Sequence, residues 1–226
     1  MIELVVFDMA GTTVYDGDAV NGAFRAALAA AGLAADPAAV NTVMGLPKPE
    51  AISLLLTHFG QPAGPAEVAP VHADFVRRMK GHYATHPDVR EMPGAAAVFA
   101  ELRAVGVKVA LDTGFSRDIA DAVLARLGWS APATVDAVIA SDEVPRGRPF
   151  PDMIQTLMTR LGVTDPKAVA KVGDTRVDVE EGTNAGCRFV IGVTSGSYTR
   201  EQLQEHPHTH IVASVADVPG VLFGGR

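Results

Sequence analysis

Leu4-Val5-Val6-Phe7-Asp8-Met9-Ala10-Gly11-Thr12-Thr13 opens the chain with an apolar run that stops at a carboxylate and passes into glycine and threonine. An apolar run without polar alternation reads as a strand buried on both faces, not as one with a wet side. Similar runs return at residues 107–111, 137–140, 168–172, 189–193 and 211–212. Between them the apolar residues fall at helical spacing: Val98, Leu102 and Val105; Ile119, Val123 and Leu127; Ile154, Leu157, Met158 and Leu161. Strand and helix alternate, which predicts an α/β fold with a doubly wound, Rossmann-like parallel sheet covered on both faces.

Residues 16–90 break this rhythm, with helical patterns and no convincing strand. Val20, Phe24, Leu28 and Ala31 mark one helix; Ile52, Leu55, Leu56 and Phe59 a second, ended by Gly60; Val68, Val71, Phe75, Met79 and Tyr83 a third. The reading is a catalytic core of residues 1–15 and 91–226 interrupted by an all-helical cap of residues 16–90.

Composition narrows the function. The 226 residues are 48% hydrophobic and 20% charged, which predicts a packed core. With 19 Lys and Arg against 26 Asp and Glu, the formal charge is -7. This is the reverse of a nucleic-acid or anionic-membrane footprint. Cys187 is the single cysteine, so no internal disulfide is expected, and Glu3 and Asp8 interrupt the first apolar run before a signal-peptide core forms. A cytoplasmic protein is expected, and a homodimer is left open.

In an open parallel sheet, ligands bind outside the carboxyl ends of the strands. Those ends carry Asp8 to Thr13, then Asp112-Thr113-Gly114, then a loop with Arg148-Pro149, then Gly173-Asp174-Thr175 with Asp178 beyond. Carboxylates for a cation, a hydroxyl with glycine-exposed amides for an oxyanion, and a guanidinium for a phosphate are the parts of a phosphoryl-transfer site. Taken singly, each is ordinary turn or cap chemistry. Four in order at successive strand ends are not.

This set resembles the haloacid dehalogenase-like hydrolases. The resemblance implies that Asp8 is the nucleophile that forms an aspartyl phosphate, splitting one hard displacement into two easier ones. It further implies that Thr113, Gly114 and Arg148 hold the phosphoryl oxygens, with Gly11 and Thr12 in the substrate loop. Asp8, Ala10 and Asp174 would hold Mg2+, an oxygen-donor set suited to a hard cation, and Asp178 would orient Asp174 or a metal-bound water. Most phosphatases of the family carry a proton-donating Asp where this chain has Ala10. A general acid is worth about 10²–10⁴-fold, so an ordinary phosphate ester would be a poor substrate.

Met44-Gly45-Leu46-Pro47-Lys48, together with Asp8-x-Ala10-Gly11-Thr12, resembles the phosphonoacetaldehyde hydrolases, or phosphonatases, within that superfamily. There the cap lysine forms a Schiff base with the substrate aldehyde, and the imine accepts the electrons released by P–C cleavage. No acid at position 10 is then needed. The resemblance places Met44, Gly45 and Phe115 against the substrate. The chain departs from the phosphonatase pattern at Ala51, Met9 and Phe115, where that family has His, Trp and Tyr. A small phosphonate or phosphorylated metabolite is the expected substrate, with a phosphomonoesterase or a catalytically weak phosphate-binding protein as alternatives. His82 and His86, and His206, His208 and His210, are read as surface or packing groups, and Asp16, Asp18 and Glu50 as solvated charges.

Overall fold

The structure, a computed structural model, describes residues 1–224. In chain order its strands are β1 (Leu4–Asp8), β2 (Lys108–Thr113), β3 (Ala137–Ala140), β4 (Val169–Gly173), β5 (Phe189–Val193) and β6 (His210–Val212). They form one parallel sheet in the order β3-β2-β1-β4-β5-β6. The chain leaves β1 toward one edge and returns beside it as β4, so the order reverses between β1 and β4, where such sheets open a crevice.

Both faces are covered, as the uninterrupted apolar runs require. Val5, Phe7, Val109, Leu111 and Val172 belong to one buried cluster, and Leu4, Val6, Ala110, Ile139 and Val169 to the other. Successive residues therefore point to opposite faces. Helices α5 (Ala95–Ala104), α6 (Arg117–Leu127), α7 (Asp152–Leu161), α8 (Arg176–Asn184), α9 (Arg200–Gln204) and α10 (Val218–Phe223) lie among these strands. Val105, expected on the buried stripe of its helix, instead lies just past the end of α5 and is 63% exposed.

Between β1 and α5 the chain forms four helices: α1 (Ala19–Ala30), α2 (Pro37–Asn41), α3 (Lys48–His58) and α4 (Pro65–Thr85). Three follow the expected spacings. The short α2 has no such pattern and is fixed at its start by Asp36, whose carboxylate accepts the Ala39 amide at 2.8 Å. Phe24, Phe75 and Met79 are fully buried among these helices, with the Phe24 and Phe75 rings 4.4 Å apart. Helix α4 also packs along α6 of the sheet-bearing part. Among the described residues, no helix is long and apolar enough to cross a membrane.

Candidate active site

Asp8 ends β1, Thr113 ends β2, and Asp174 follows the last residue of β4. The sheet register pairs Asp8 with Asp112. These three strand ends, with the Arg148 loop, surround a cavity of about 20 Å3, room for about one water. Asp8, Ala10, Met44, Gly45, Lys48, Thr113, Gly114, Phe115, Arg148, Asp174 and Asp178 all line it. Val20, Thr175 and Ser197, which the sequence did not assign to the site, join them. Gly11 and Thr12 do not line the cavity; both serve Asp174.

Asp174 is buried and held on two sides. Its Oδ1 accepts from the Thr12 hydroxyl at 3.1 Å and its Oδ2 from the Ser197 amide at 2.7 Å. A Cβ on Gly11, which has a φ of +92°, would sit 2.5 Å from Asp174 Oδ2, and one on Gly196 would collide with the same oxygen. The chain thus leaves side-chain-free space around this carboxylate. Burial, then the charges of Asp8 and Asp178, push the Asp174 carboxyl well above the usual range. A buried carboxylate beside two others lacks a countercharge, and a cation would supply it. Asp8, Asp112 and Asp178 also bring carboxylate oxygens within 4.8 Å of one another, a group able to hold a metal. Both oxygens of Asp112, however, already face the Lys171 ammonium at 2.5 and 2.6 Å. Asp174, opposed by the charges of Asp8 and Asp178, is the carboxylate that would gain most from an added cation.

Arg148 was expected to hold phosphoryl oxygens, but its guanidinium is engaged by protein carboxylates. Nη1 donates to Asp8 Oδ1 at 2.7 Å and lies 2.9 Å from Asp178 Oδ1. Nη2 donates to Asp112, and Nε donates to Glu181 Oε2 at 3.1 Å. Asp178, expected to orient Asp174 or a metal-bound water, directs its hydrogen bonds elsewhere. Its Oδ2 accepts from the Thr175 amide at 3.2 Å and the Thr175 hydroxyl at 2.5 Å, capping α8.

Burial raises the Asp8 carboxyl to about 6, against the opposing pull of Arg148. Asp112 is pushed up by burial too, but Arg148 and Lys171 outweigh this and hold it below the usual range. Burial and the Asp112 charge hold Glu181 well above it. Asp112, Lys171 and Glu181 were missed as site residues. The available signal was Lys171 itself, a lysine inside an otherwise apolar strand, which must find a buried partner.

Lys48 is the first residue of α3 and is only 4% exposed. Its Nζ lies 5.4 Å from the centroid of the Phe24 ring and 5.1 Å from that of Phe115, and donates to the Leu46 carbonyl at 3.3 Å. Burial lowers its pKa to about 8, with Asp8 opposing and Arg148 assisting. The loop that delivers it sits backbone-to-backbone on Gly114, the residue after β2: a Cβ there would lie 2.6 Å from the Gly45 carbonyl oxygen and 2.8 Å from that of Leu46.

A wider recess of about 300 Å3 adjoins the cavity, sharing Met44 and Ser197 with it. Asp16 lines this recess and is half-buried, its carboxyl raised by burial to about 6, so it is not a freely solvated charge as expected. His82 and His86 stack on each other at 4.5 Å, and His206 lies 3.7 Å from Glu180.

A phosphoryl-transfer set at the carboxyl ends of a 3-2-1-4-5-6 parallel sheet defines the class: the chain belongs to the haloacid dehalogenase-like hydrolases, whose family model matches residues 2–186. It is a hydrolase of that family. Within it, the chain is 33% identical to a phosphonoacetaldehyde hydrolase of Bacteroides fragilis, over 92% of this chain and 81% of that one. It is 34% identical to a phosphonoacetaldehyde hydrolase of Syntrophobacter fumaroxidans, over 87% and 74%. Among solved structures it superposes on a phosphonoacetaldehyde hydrolase-like protein of Oleispira antarctica with a TM-score of 0.86, at 25% identity over 99% of this chain and 92% of that one.

Proposed function

We propose that the protein is a magnesium-dependent phosphonatase that cleaves the P–C bond of phosphonoacetaldehyde or a closely related small phosphonate aldehyde. One observation carries this reading: the Lys48 amine, buried and brought to about 8, lines the same small cavity as the Asp8 carboxylate. An amine attacks a carbonyl only when neutral, and burial at Lys48 makes the neutral form accessible near neutral pH. An amine and a carboxylate facing one cavity match a substrate with an aldehyde at one end and phosphorus at the other.

In this reading neutral Lys48 adds to the aldehyde carbon and water leaves, giving a protonated imine. Asp8 then attacks phosphorus, the P–C bond breaks, and its electron pair moves into the imine to give an enamine and an aspartyl phosphate. Water hydrolyses the aspartyl phosphate to phosphate. A proton and a second water convert the enamine to acetaldehyde and free Lys48, so the sum consumes one water. Ala10 fits this route, because the departing carbon is received by the imine and no acid is required at that position. Arg148, bonded to Asp8 Oδ1, fixes the nucleophile while leaving Oδ2 for attack.

Asp8, Asp174 and the Ala10 carbonyl are the groups we assign to magnesium. When bound, the ion offsets the repulsion between an anionic nucleophile and an anionic substrate. The helical segment acts as a cap: a cavity of about 20 Å3 admits water but no phosphonate, so the cap withdraws for entry and returns to place Lys48. The test is incubation with phosphonoacetaldehyde and magnesium. Stoichiometric phosphate and acetaldehyde support the reading; turnover of phosphate monoesters alone would replace it with a phosphomonoesterase.

A further inference from the structure

Side chains of β1, β2 and β4 that alternate onto one face include Asp8, Asp112 and Lys171, in line with Leu4, Val6 and Ala110 of that face's apolar cluster. Helix α8 covers this face and contributes Glu181, a turn before its end. Lys171, Asp112 and Glu181 are each at most 1% exposed. The Lys171 ammonium lies 2.5 Å from Asp112 Oδ1, 3.0 Å from Glu181 Oε2 and 3.3 Å from Asp178 Oδ1. Asp112 and Glu181 in turn take the Nη2 and Nε of Arg148. Two edges of the guanidinium are thereby fixed, and the remaining nitrogen, Nη1, meets Asp8 Oδ1 at 2.7 Å with Asp178 Oδ1 2.9 Å away.

Burying this many charges is costly, and an apolar replacement of a buried ion pair is often as stable or more so. Stability alone therefore does not account for the group. We propose that Lys171, Asp112 and Glu181 are positioning residues: together they hold the Arg148 guanidinium in the one orientation that fixes the attacking carboxylate of Asp8. Lys171 has a second part in this. Without its ammonium, Asp112 would have Arg148 as its main countercharge and would draw it away from Asp8. This inference rests on Asp8 acting as the phosphoryl acceptor in the proposed reaction, but not on the Schiff base at Lys48.

The test compares Lys171→Met with Asp112→Asn/Lys171→Met, the latter removing one charge of each sign from the buried group. Misplacing a reacting group by about 1 Å costs on the order of 10²-fold. Lys171→Met is expected to lose kcat on that scale with KM within threefold of wild type, and the double variant to recover about tenfold of the loss and remain about tenfold below wild type. A folded Lys171→Met with near wild-type kcat, a rise in KM alone, or a double variant no faster than the single would each overturn the proposal. Should Lys171→Met fail to fold, the double variant is read against wild type: a tenfold lower kcat at unchanged KM is expected, and an unchanged kcat overturns it.

Rates are taken on phosphonoacetaldehyde and on acetyl phosphate, whose cleavage needs Asp8 but no imine. Wild-type turnover of acetyl phosphate alone would remove the phosphonatase reading while the variant ratios still decide this one. A wild type inert to both overturns both.

Discussion

The Lys48 ammonium sits 5.1 Å from the centroid of the Phe115 ring, with the Phe24 ring 5.4 Å away. A cation held between two aromatic faces gains some attraction from them, but loses more by leaving water. The free side chain titrates at 10.5 and the folded one at about 8, so between those values the native state binds fewer protons than the unfolded chain. Stability is reduced below pH 8 and rises as pH climbs through that window, the cost below it being about 3 kcal/mol at 1.36 kcal/mol per pKa unit. Lys48→Met should therefore melt higher than wild type at pH 7, by roughly 5–10 °C, with the gap closing toward pH 10, while P–C cleavage is lost. A variant that melts lower would show that the buried amine does not strain the fold.

The same amine sets a pH dependence. With Lys48 near 8 in the free protein, kcat/KM for phosphonoacetaldehyde should rise as pH climbs toward 8, where the amine becomes neutral. Lys48→Arg should abolish the reaction at every pH. A profile that falls between pH 6 and 8 would contradict the assignment.

For the metal, calorimetric melting with and without magnesium is the measurement. An ion that binds only the native state stabilises it by about 2.7 kcal/mol at a hundred times its Kd. Wild type should show such a shift and lose turnover on chelation. Asp174→Asn should show neither the shift nor turnover, and should melt above metal-free wild type because it removes a carboxylate whose charge burial opposes.

Gly114→Ala tests the seating of the lysine loop. The new Cβ would meet the Gly45 and Leu46 carbonyls at 2.6 and 2.8 Å, closer than such atoms approach. The lysine loop must then stand off Gly114, and kcat should fall about 10–100-fold, the effect of an ångström-scale misplacement. Melting of the core should change little. Unchanged turnover would mean that closure does not bring Gly45 onto Gly114.

Much of this arrangement was legible in the residues. Strands buried on both faces have few ways to be written, so the apolar runs located all six, and strand ends are where a parallel sheet exposes its chemistry. Asp8, Thr113, Arg148 and Asp174 could be picked out because each stands at such an end or in the loop beyond it, and Lys48 only through the resemblance of residues 44–48 to the phosphonatases. The partners of Arg148 could not. Which carboxylates reach a guanidinium depends on how α8 packs over the sheet, and Glu181 reads as one more polar residue in a helix of low hydrophobicity. Thr12 and Gly11 sit in the nucleophile loop, and only the fold shows them turned to Asp174. Helix α2 has five residues, too few for a periodic pattern to emerge.

The central claim is that Lys48 and Asp8 act on the two ends of one substrate. The most direct measurement is borohydride reduction of the protein in the presence of phosphonoacetaldehyde, followed by mass analysis of the peptide that contains Lys48. A reduced two-carbon adduct on Lys48, absent from Lys48→Met and from protein treated without substrate, is the predicted result. Phosphate release with no adduct at Lys48 would contradict it.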